Sequence, residues 1–186
     1  MLYIGLISFK ADDPFLDKNF AKEAFDYLNS VRQNPSKYSK EIGSFLISIK
    51  PIYALKWNDT LAALAETKAM DMAKKGYFDH VDPKGLGMNY YLEKGGYHLP
   101  KDWLKNKKDN YVESIGNNYQ NAKEAIQNLI IDEGVPGVGH RKHLLGLGDF
   151  YSKNVDIGIG HIVLNSNQGD DFKETYTCIL IARHSW

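Results

Sequence analysis

Apolar residues recur at helical spacing in three stretches of the first two thirds of the chain. The first stretch, residues 19–32, is predicted to form an amphipathic helix with a buried stripe of Phe20, Ala24, Tyr27, Leu28 and Val31. Pro35 is expected to end this helix, because the residue before a proline disfavours helical geometry. A short second helix is predicted over residues 35–45.

The strongest helical pattern follows Trp57. Asn58 or Asp59 can cap its first turn, and Gly76 suits the left-handed residue that follows a helix. Its buried face is predicted to contain Leu61, Leu64, Ala65, Ala69, Met72 and Ala73. A further helix is predicted from about Asn121 to Asp132, with an inward face of Ala122, Ala125, Ile126 and Leu129.

In the last third of the chain, the spacing of apolar residues changes from a helical to an alternating pattern. Residues 155–164 and 175–182 are rich in β-branched side chains and partly alternate, which predicts two strands. The link between them, residues 165–171, is rich in turn-forming residues and favours an antiparallel hairpin. Because helices precede strands, the pattern indicates an α+β protein. Residues 76–118, including the polar tract within 87–110, show no clear periodicity of apolar residues and are predicted to form a long irregular segment.

Composition narrows the class of protein. A length of 186 residues favours one domain, and 23 basic residues balance 23 acidic ones, so no electrostatic argument favours a nucleic acid partner. The single cysteine, Cys178, cannot form an internal disulfide and is predicted to be buried in a strand. No apolar stretch reaches the ~18 residues of a membrane span. Residues 1–18 are interpreted as an N-terminal extension or leader remnant that precedes a domain of residues 19–186.

Side chains suited to metal binding or acid–base chemistry lie in three distant segments. His80 follows a helix end, Glu113 stands among apolar neighbours, and Asp132 and Glu133 precede His140. Imidazoles bind borderline divalent metals and titrate near neutral pH. Two of them with one or two carboxylates suit a weakly held ion such as zinc, and the same groups suit general acid–base catalysis.

A histidine three residues after His140 complicates this assignment. His143 would share a helix face with His140 and is therefore a rival ligand. Ser114, beside Glu113, is a conceivable nucleophile, although the chain carries no recognised nucleophile motif.

Six short motifs occur in a fixed order between residues 20 and 186. They begin at Tyr27 (Tyr-Leu-Asn-Ser-Val-Arg), Leu55 (Leu-Lys-Trp-Asn), Gly76 (Gly-Tyr-Phe-Asp-His), Glu113 (Glu-Ser-Ile), Gly139 (Gly-His-Arg) and Val155 (Val-Asp-Ile-Gly-Ile-Gly). Together they resemble the CAP superfamily (cysteine-rich secretory, antigen 5 and pathogenesis-related proteins), especially its bacterial, disulfide-free branch. The chain departs from the family pattern with Val112 for glycine, Ser114 for asparagine and a longer turn before Gly139.

The resemblance implies a three-layer α/β/α sandwich with a mainly antiparallel sheet and a large open cleft. It also implies that His80 and His140 bind a divalent metal, commonly zinc, beside Glu113 and a second acid. Asp132 fits the spacing of that second acid, and Glu133 is its alternative. The expected setting is extracytoplasmic or secreted.

Three functions stay open on this resemblance. The first is a binding domain for a metal and an unidentified cleft ligand, which could be a glycan, a lipid or a peptide. The second is a metal-assisted hydrolase or protease with Glu113 as tentative catalytic base. In the third, the histidines and acids only tie loops to the sandwich.

Overall fold

The computed structural model describes residues 14–164 and 173–185. The first helix, α1, spans Lys18–Gln33, and the Asp17 side chain caps it by accepting a hydrogen bond from the Phe20 amide. The short helix expected over residues 35–45 is replaced by two 3₁₀ turns, Pro35–Tyr38 and Ser44–Ser48. Pro35 therefore ends α1 as expected, but the chain then continues in single tight turns.

The other helices follow in chain order. The second helix, α2, spans Asp59–Lys75, with Asn58 as its N-cap and Gly76 in the left-handed conformation after it. The irregular segment contains one short helix, α3 (Met88–Lys94). It is followed by α4 (Ala122–Ile131), α5 (Gly139–Leu145) and α6 (Gly148–Tyr151).

Five strands form one sheet. They are β1 (Phe15–Leu16), β2 (Lys56–Trp57), β3 (Glu113–Asn117), β4 (Asp156–Leu164) and β5 (Glu174–Ala182). The order is β1-β4-β5-β3, and β2 runs parallel to the start of β4. The antiparallel pairing of β4 with β5 confirms the predicted pair of strands, while the link 165–171 lies outside the described residues. Residues 15 and 16, within the predicted extension, pair with β4.

Alternation along the central strands creates two apolar cores. Ile157, Ile159 and Ile181 face α1, α4 and α5 in the first core. Cys178 and Leu180 face α2 and α3 in the second. Helices thus cover both faces of a mainly antiparallel sheet, which confirms the three-layer α/β/α prediction.

Two glycines set the distance between α2 and the sheet. Gly158 and Gly160 lie on the β4 face toward α2, and a Cβ atom at either position would fall within 2.5 Å of α2 backbone atoms. Glycine in a strand often marks such a close approach of another backbone. The helix that leads to His80 is therefore held directly against the sheet.

Candidate functional site

A cleft of about 500 Å³ opens beside β3. Its lining includes His80, Glu113, Ser114, His140 and His143. β3 stands at one end of the strand order, and its alternating side chains point to opposite faces of the sheet. Consequently Glu113 meets groups on the α2 side, whereas Ser114 meets α5.

His80 is held by Glu113. Its Nδ1 atom lies 2.7 Å from Glu113 Oε2 and 2.9 Å from Asn110 Nδ2. Because one ring nitrogen cannot donate and accept at once, the shorter contact to the carboxylate assigns the proton to Nδ1. Asn110 then donates to Glu113 Oε2 at 3.2 Å. The Glu113 side chain is fully buried, while that of His80 is 42% exposed, so the acid is fixed beneath a ring that faces the cleft.

His140 is held in the same manner by Asp132. The Nδ1 atom of His140 lies 2.7 Å from Asp132 Oδ1, and Asp132 Oδ2 accepts hydrogen bonds from the backbone amides of His140 and Arg141. Asp132 itself ends α4 in a left-handed conformation with φ of 51°. One buried carboxylate therefore closes α4, caps the start of α5 and orients the imidazole.

Arg141 strengthens this connection between α4 and α5. Its guanidinium donates to the carbonyl oxygens of Ile130 and Ile131 at the C-terminal end of α4, where a positive charge is favourable. The guanidinium carbon also lies 3.9 Å from the centre of the Phe45 ring. His140 is thus fixed by two contacts: Asp132 binds its ring, and the neighbouring Arg141 binds the end of α4.

The two imidazoles face one another across the cleft. Their ring centroids are 6.3 Å apart and the ring planes are tilted by 36°. Both rings bind their carboxylates through Nδ1, and within residues 14–164 and 173–185 neither Nε2 atom has a hydrogen-bond partner. Four residues from distant segments, His80, Glu113, Asp132 and His140, are therefore brought together at one place.

Glu133 and His143 occupy different surroundings. Glu133 is exposed, and Asp132 rather than Glu133 contacts His140. His143 is buried on α5, with Nδ1 2.7 Å from Ser114 Oγ and Nε2 3.2 Å from the Ile181 carbonyl oxygen. Both of its nitrogens are thus engaged within the protein, and the Ser114 hydroxyl, although it is part of the cleft lining, donates its hydrogen bond to this ring. The metal and catalytic roles of all these residues stay predictions.

Lys68 is a site residue that the sequence pattern did not single out. Its buried ammonium group on α2 donates to the Asp79 carbonyl oxygen at 2.6 Å and to the His80 carbonyl oxygen at 3.4 Å. The lysine thereby fixes the loop that carries His80. The sequence did contain a sign that Lys68 is buried, because Lys68 falls on the apolar stripe of α2 between Ala65 and Met72.

Cys178 lies beneath the site, as predicted for a structural thiol. It is fully buried in β5, with Sγ 3.7 Å from Glu113 Oε1. Burial, followed by the negative charge of Glu113, raises the pKa of this thiol well above its ordinary value. Cys178 is therefore an unreactive neighbour of the acid.

His143 makes the fold sensitive to acid. Burial lowers the pKa of His143 from 6.5 to about 4. The unfolded chain takes up this proton as the pH falls below 6.5, whereas the folded chain does not until about pH 4. The free energy of unfolding is therefore expected to decrease over this interval, by about 1.4 kcal/mol per pH unit for one proton.

The measurement is urea denaturation of wild-type protein and His143→Gln at several pH values between 7 and 4. The slope of the unfolding free energy against pH should be shallower in the variant by the equivalent of about one proton. His98→Gln, at a ring that is 66% exposed, is the control. Equal slopes in the wild type and His143→Gln would contradict the burial of a neutral ring.

The site fits a metal ion that is coordinated by only a few protein side chains. Among the described residues, no group of three or more His, Cys, Asp and Glu side chains is placed to hold an ion. Two imidazoles whose Nε2 atoms have no hydrogen-bond partner among the described residues fit an ion that takes its other ligands from solvent or a bound molecule. The fit rests on these donor atoms, since Glu113 and Asp132 are already engaged by the rings.

The fold and the site together define an α/β/α protein with two carboxylate-held imidazoles in an open cleft. The sequence profile of the cysteine-rich secretory protein family, CAP, matches residues 25–180. The chain therefore belongs to the CAP family, which confirms the resemblance seen in its motifs. The family is described as cysteine-rich, but this sequence has a single cysteine, which cannot form an internal disulfide.

Solved structures support the same fold. An extracellular protein containing an SCP domain from Bacillus anthracis str. Ames is 20% identical with a TM-score of 0.54, and the match covers 89% of this chain and 41% of that protein. An outer surface protein from Borrelia burgdorferi is 13% identical with a TM-score of 0.56, over 91% of this chain and 98% of that one. The chain thus spans less than half of the Bacillus protein. No curated protein matches the chain.

Across residues 14–164 and 173–185, no helix combines the length and the hydropathy that crossing a bilayer requires.

Proposed function

We propose that this protein is a secreted or surface-associated domain that binds a divalent metal ion, expected to be zinc, between His80 and His140. The surrounding cleft would bind a further ligand. One observation supports the proposal above others: each imidazole is held through Nδ1 by a buried carboxylate, which leaves Nε2 for the cleft. Proteins commonly orient metal-binding histidines with such carboxylates.

The chain's own residues would act as a prepared holder for the ion. Glu113 and Asp132 fix the tautomer and orientation of the two rings, and Lys68 fixes the backbone at His80. A bound ion would supply a positive charge able to polarise an oxygen atom of a ligand. With two imidazoles as protein ligands, binding should be weaker than at a structural zinc site with four.

The geometry favours a binding domain over the metal-assisted hydrolase. A general base must come within hydrogen-bond reach of the proton that it removes. The Glu113 carboxylate is fully buried and already accepts hydrogen bonds from His80 and Asn110. These contacts favour an orienting role for Glu113.

A secreted or surface setting is part of the proposal. It is supported by the family and by the descriptions of the two structural neighbours as extracellular and outer surface proteins. The ligand of the cleft is a separate question from the metal.

Calorimetric titration with zinc tests the metal site. The wild-type protein is expected to bind one ion per chain, and Glu113→Gln and Asp132→Asn are each expected to weaken binding by about 10–100-fold. The two variants remove the charge that orients a ring while keeping its shape. Glu93→Gln is the matched control, because Glu93 contacts the exposed ring of His98.

Two results would count against the metal site. One is the absence of any heat from zinc in the wild-type protein. The other is an equal zinc affinity in the wild type and both carboxylate variants, which would place the ion elsewhere.

A further inference from the structure

β3 is an edge strand of the sheet. It pairs with β5 on one side, and among residues 14–164 and 173–185 no strand pairs with its other side. The Val112 carbonyl oxygen accepts a hydrogen bond from the Ile181 amide at 2.9 Å, and the Asn118 amide donates to the Thr175 carbonyl oxygen, also at 2.9 Å. Because every second residue of an antiparallel strand bonds to the same neighbour, these two bonds fix which residues of β3 face β5.

The alternate residues of β3 direct their main chain outward. The N–H and C=O groups of Glu113, Ile115 and Asn117 point away from β5, and the described part of the chain forms no hydrogen bond with them. Main-chain polar groups in folded proteins are nearly always paired with protein or water. The edge of β3 therefore offers three donors and three acceptors to a molecule outside the fold.

Solvent reaches this edge from the cleft. Glu113 is 8% exposed although its side chain is fully buried, so its exposed part is main chain. Ser114, which faces β5, is 0% exposed, whereas Ile115 is 6% exposed and Asn117 lies at the surface. Exposure thus alternates with the direction of the main-chain groups. The edge begins in the cleft at Glu113 and reaches the surface at Asn117.

We propose that the edge of β3 binds an extended peptide segment of another protein, which adds a strand to the sheet and places one end in the cleft. This inference rests on the proposed cleft function and names the class of its ligand. A peptide in β conformation presents N–H and C=O groups to one side at every second residue, roughly 7 Å apart. This repeat matches the outward groups of Glu113, Ile115 and Asn117. Strand addition to an exposed sheet edge is a recurring mode of peptide recognition.

Other occupants match the edge less well. Glycans and acyl chains carry no repeat of N–H and C=O groups at strand spacing. A second copy of this chain would bring its own helices, which cover both faces of the sheet, to the contact. The low exposure of Glu113 and Ile115 shows that the edge is recessed between these layers. A single extended strand has no such layers and can enter.

The first experiment uses peptides selected from a random dodecapeptide phage library on the wild-type protein in the presence of EDTA. A selected peptide is synthesised in two N-methylated forms, one methylated at its odd positions and the other at its even positions. Only one set of N–H groups can face β3. One form should therefore bind at least about tenfold more weakly in calorimetry, and the other should stay within about twofold of the unmodified peptide.

Amide hydrogen exchange followed by NMR locates the peptide on the protein. In the free protein, the amides of Glu113, Ile115 and Asn117 should exchange quickly, and those of Ser114 and Gly116 slowly, because the latter bond to β5. Saturating peptide should slow exchange at the first three amides by at least about tenfold. Exchange at the other two should change little.

Asn117→Pro removes one outward N–H group from the edge. Proline is tolerated in an edge strand where its nitrogen faces away from the sheet, and the Asn117 side chain is exposed, so the variant should fold. Its peptide affinity should fall by at least about fivefold, the loss of one hydrogen bond. Asn117→Ala is the matched control, because it trims the same side chain and keeps the N–H group.

Four results would overturn the inference. The library yields no peptide that binds the wild-type protein; or both N-methylated forms bind equally well; or the peptide protects none of the three edge amides; or these amides become protected without peptide as the protein concentration rises, which would assign the edge to a second copy. The exchange and N-methylation measurements use the wild-type protein, so they decide the matter even if Asn117→Pro fails to fold. Because EDTA removes free metal, a failure of the zinc site leaves them intact, and zinc binding without peptide binding would remove this inference alone.

Discussion

Zinc affinity is expected to fall by at least about 100-fold when His80 and His140 are both replaced by asparagine. The asparagine side chain places an amide N–H near the position of Nδ1–H, so hydrogen bonds to Glu113 and Asp132 can persist. It has no atom at the position of Nε2, which is the proposed ligand. The double variant therefore removes the metal-binding atoms while preserving the contacts that hold the loops.

A comparison with the alanine double variant separates metal binding from a structural role. His80→Ala with His140→Ala removes the Nδ1 donors as well, and leaving buried carboxylates with fewer partners costs about 1–3 kcal/mol for each. Glu113 keeps Asn110, and Asp132 keeps the amides of His140 and Arg141, so this variant should still fold. Its melting temperature should fall more than that of the asparagine variant, although both lose zinc.

The outcomes are distinct. If both double variants bind zinc as the wild type does, the ion is not held between these rings. If the wild type binds no zinc and only the alanine variant is destabilised, the histidines and acids serve to tie α4, α5 and the His80 loop together. His98→Asn, at an exposed ring that contacts Glu93, controls for the general loss of an imidazole.

The elements that sequence predicts well here are those governed by local chemistry. The cap at Asn58, the left-handed Gly76 and the apolar stripes of α1, α2 and α4 follow from neighbours within one or two turns. The pairing of β4 and β5 follows from β-branched alternation. Cys178 is buried because apolar cores cover both faces of its strand, β5.

The elements that local patterns miss depend on distant contacts. β3 lies within the segment predicted as irregular, since Glu113-Ser-Ile-Gly-Asn has a charge, a glycine and only one large apolar residue. It becomes a strand because it pairs with β5, which lies about 60 residues later, through contacts such as Glu113 with Leu180. Burial of Glu113 follows from this pairing together with its contacts to His80 and Asn110.

The candidate site shows the same division. Motif resemblance pointed to His80, His140, Glu113 and Asp132, and folding brings these four side chains together. The Ser114–His143 hydrogen bond could not be read from spacing, because it joins a strand to a helix 29 residues away. Likewise, Trp103, Tyr111 and Phe150 come from three separate segments, and Arg183, which follows β5, packs on Trp103. No local period encodes such an assembly.

The largest effect on stability is expected from adding one methyl group at Gly160. A Cβ there would lie 2.3 Å from the Glu66 amide nitrogen, and the equivalent atom at Gly158 would lie 2.1 Å from the Ala62 amide nitrogen. The obstructing atoms are helix backbone, so they cannot move aside as a flexible side chain can. Gly160→Ala must push α2 away from β4, which opens the second core and displaces the helix that leads to His80.

Urea denaturation should show Gly160→Ala and Gly158→Ala each losing about 3 kcal/mol or more of unfolding free energy, the upper range for overpacking. Gly139→Ala is the matched control, because a Cβ at Gly139 meets no atom within 4 Å and should change stability by less than about 0.5 kcal/mol. A Gly160→Ala protein as stable as Gly139→Ala would mean that α2 does not rest on the sheet at this distance. The loop that carries His80 would then lack the rigid support that orienting a metal ligand requires.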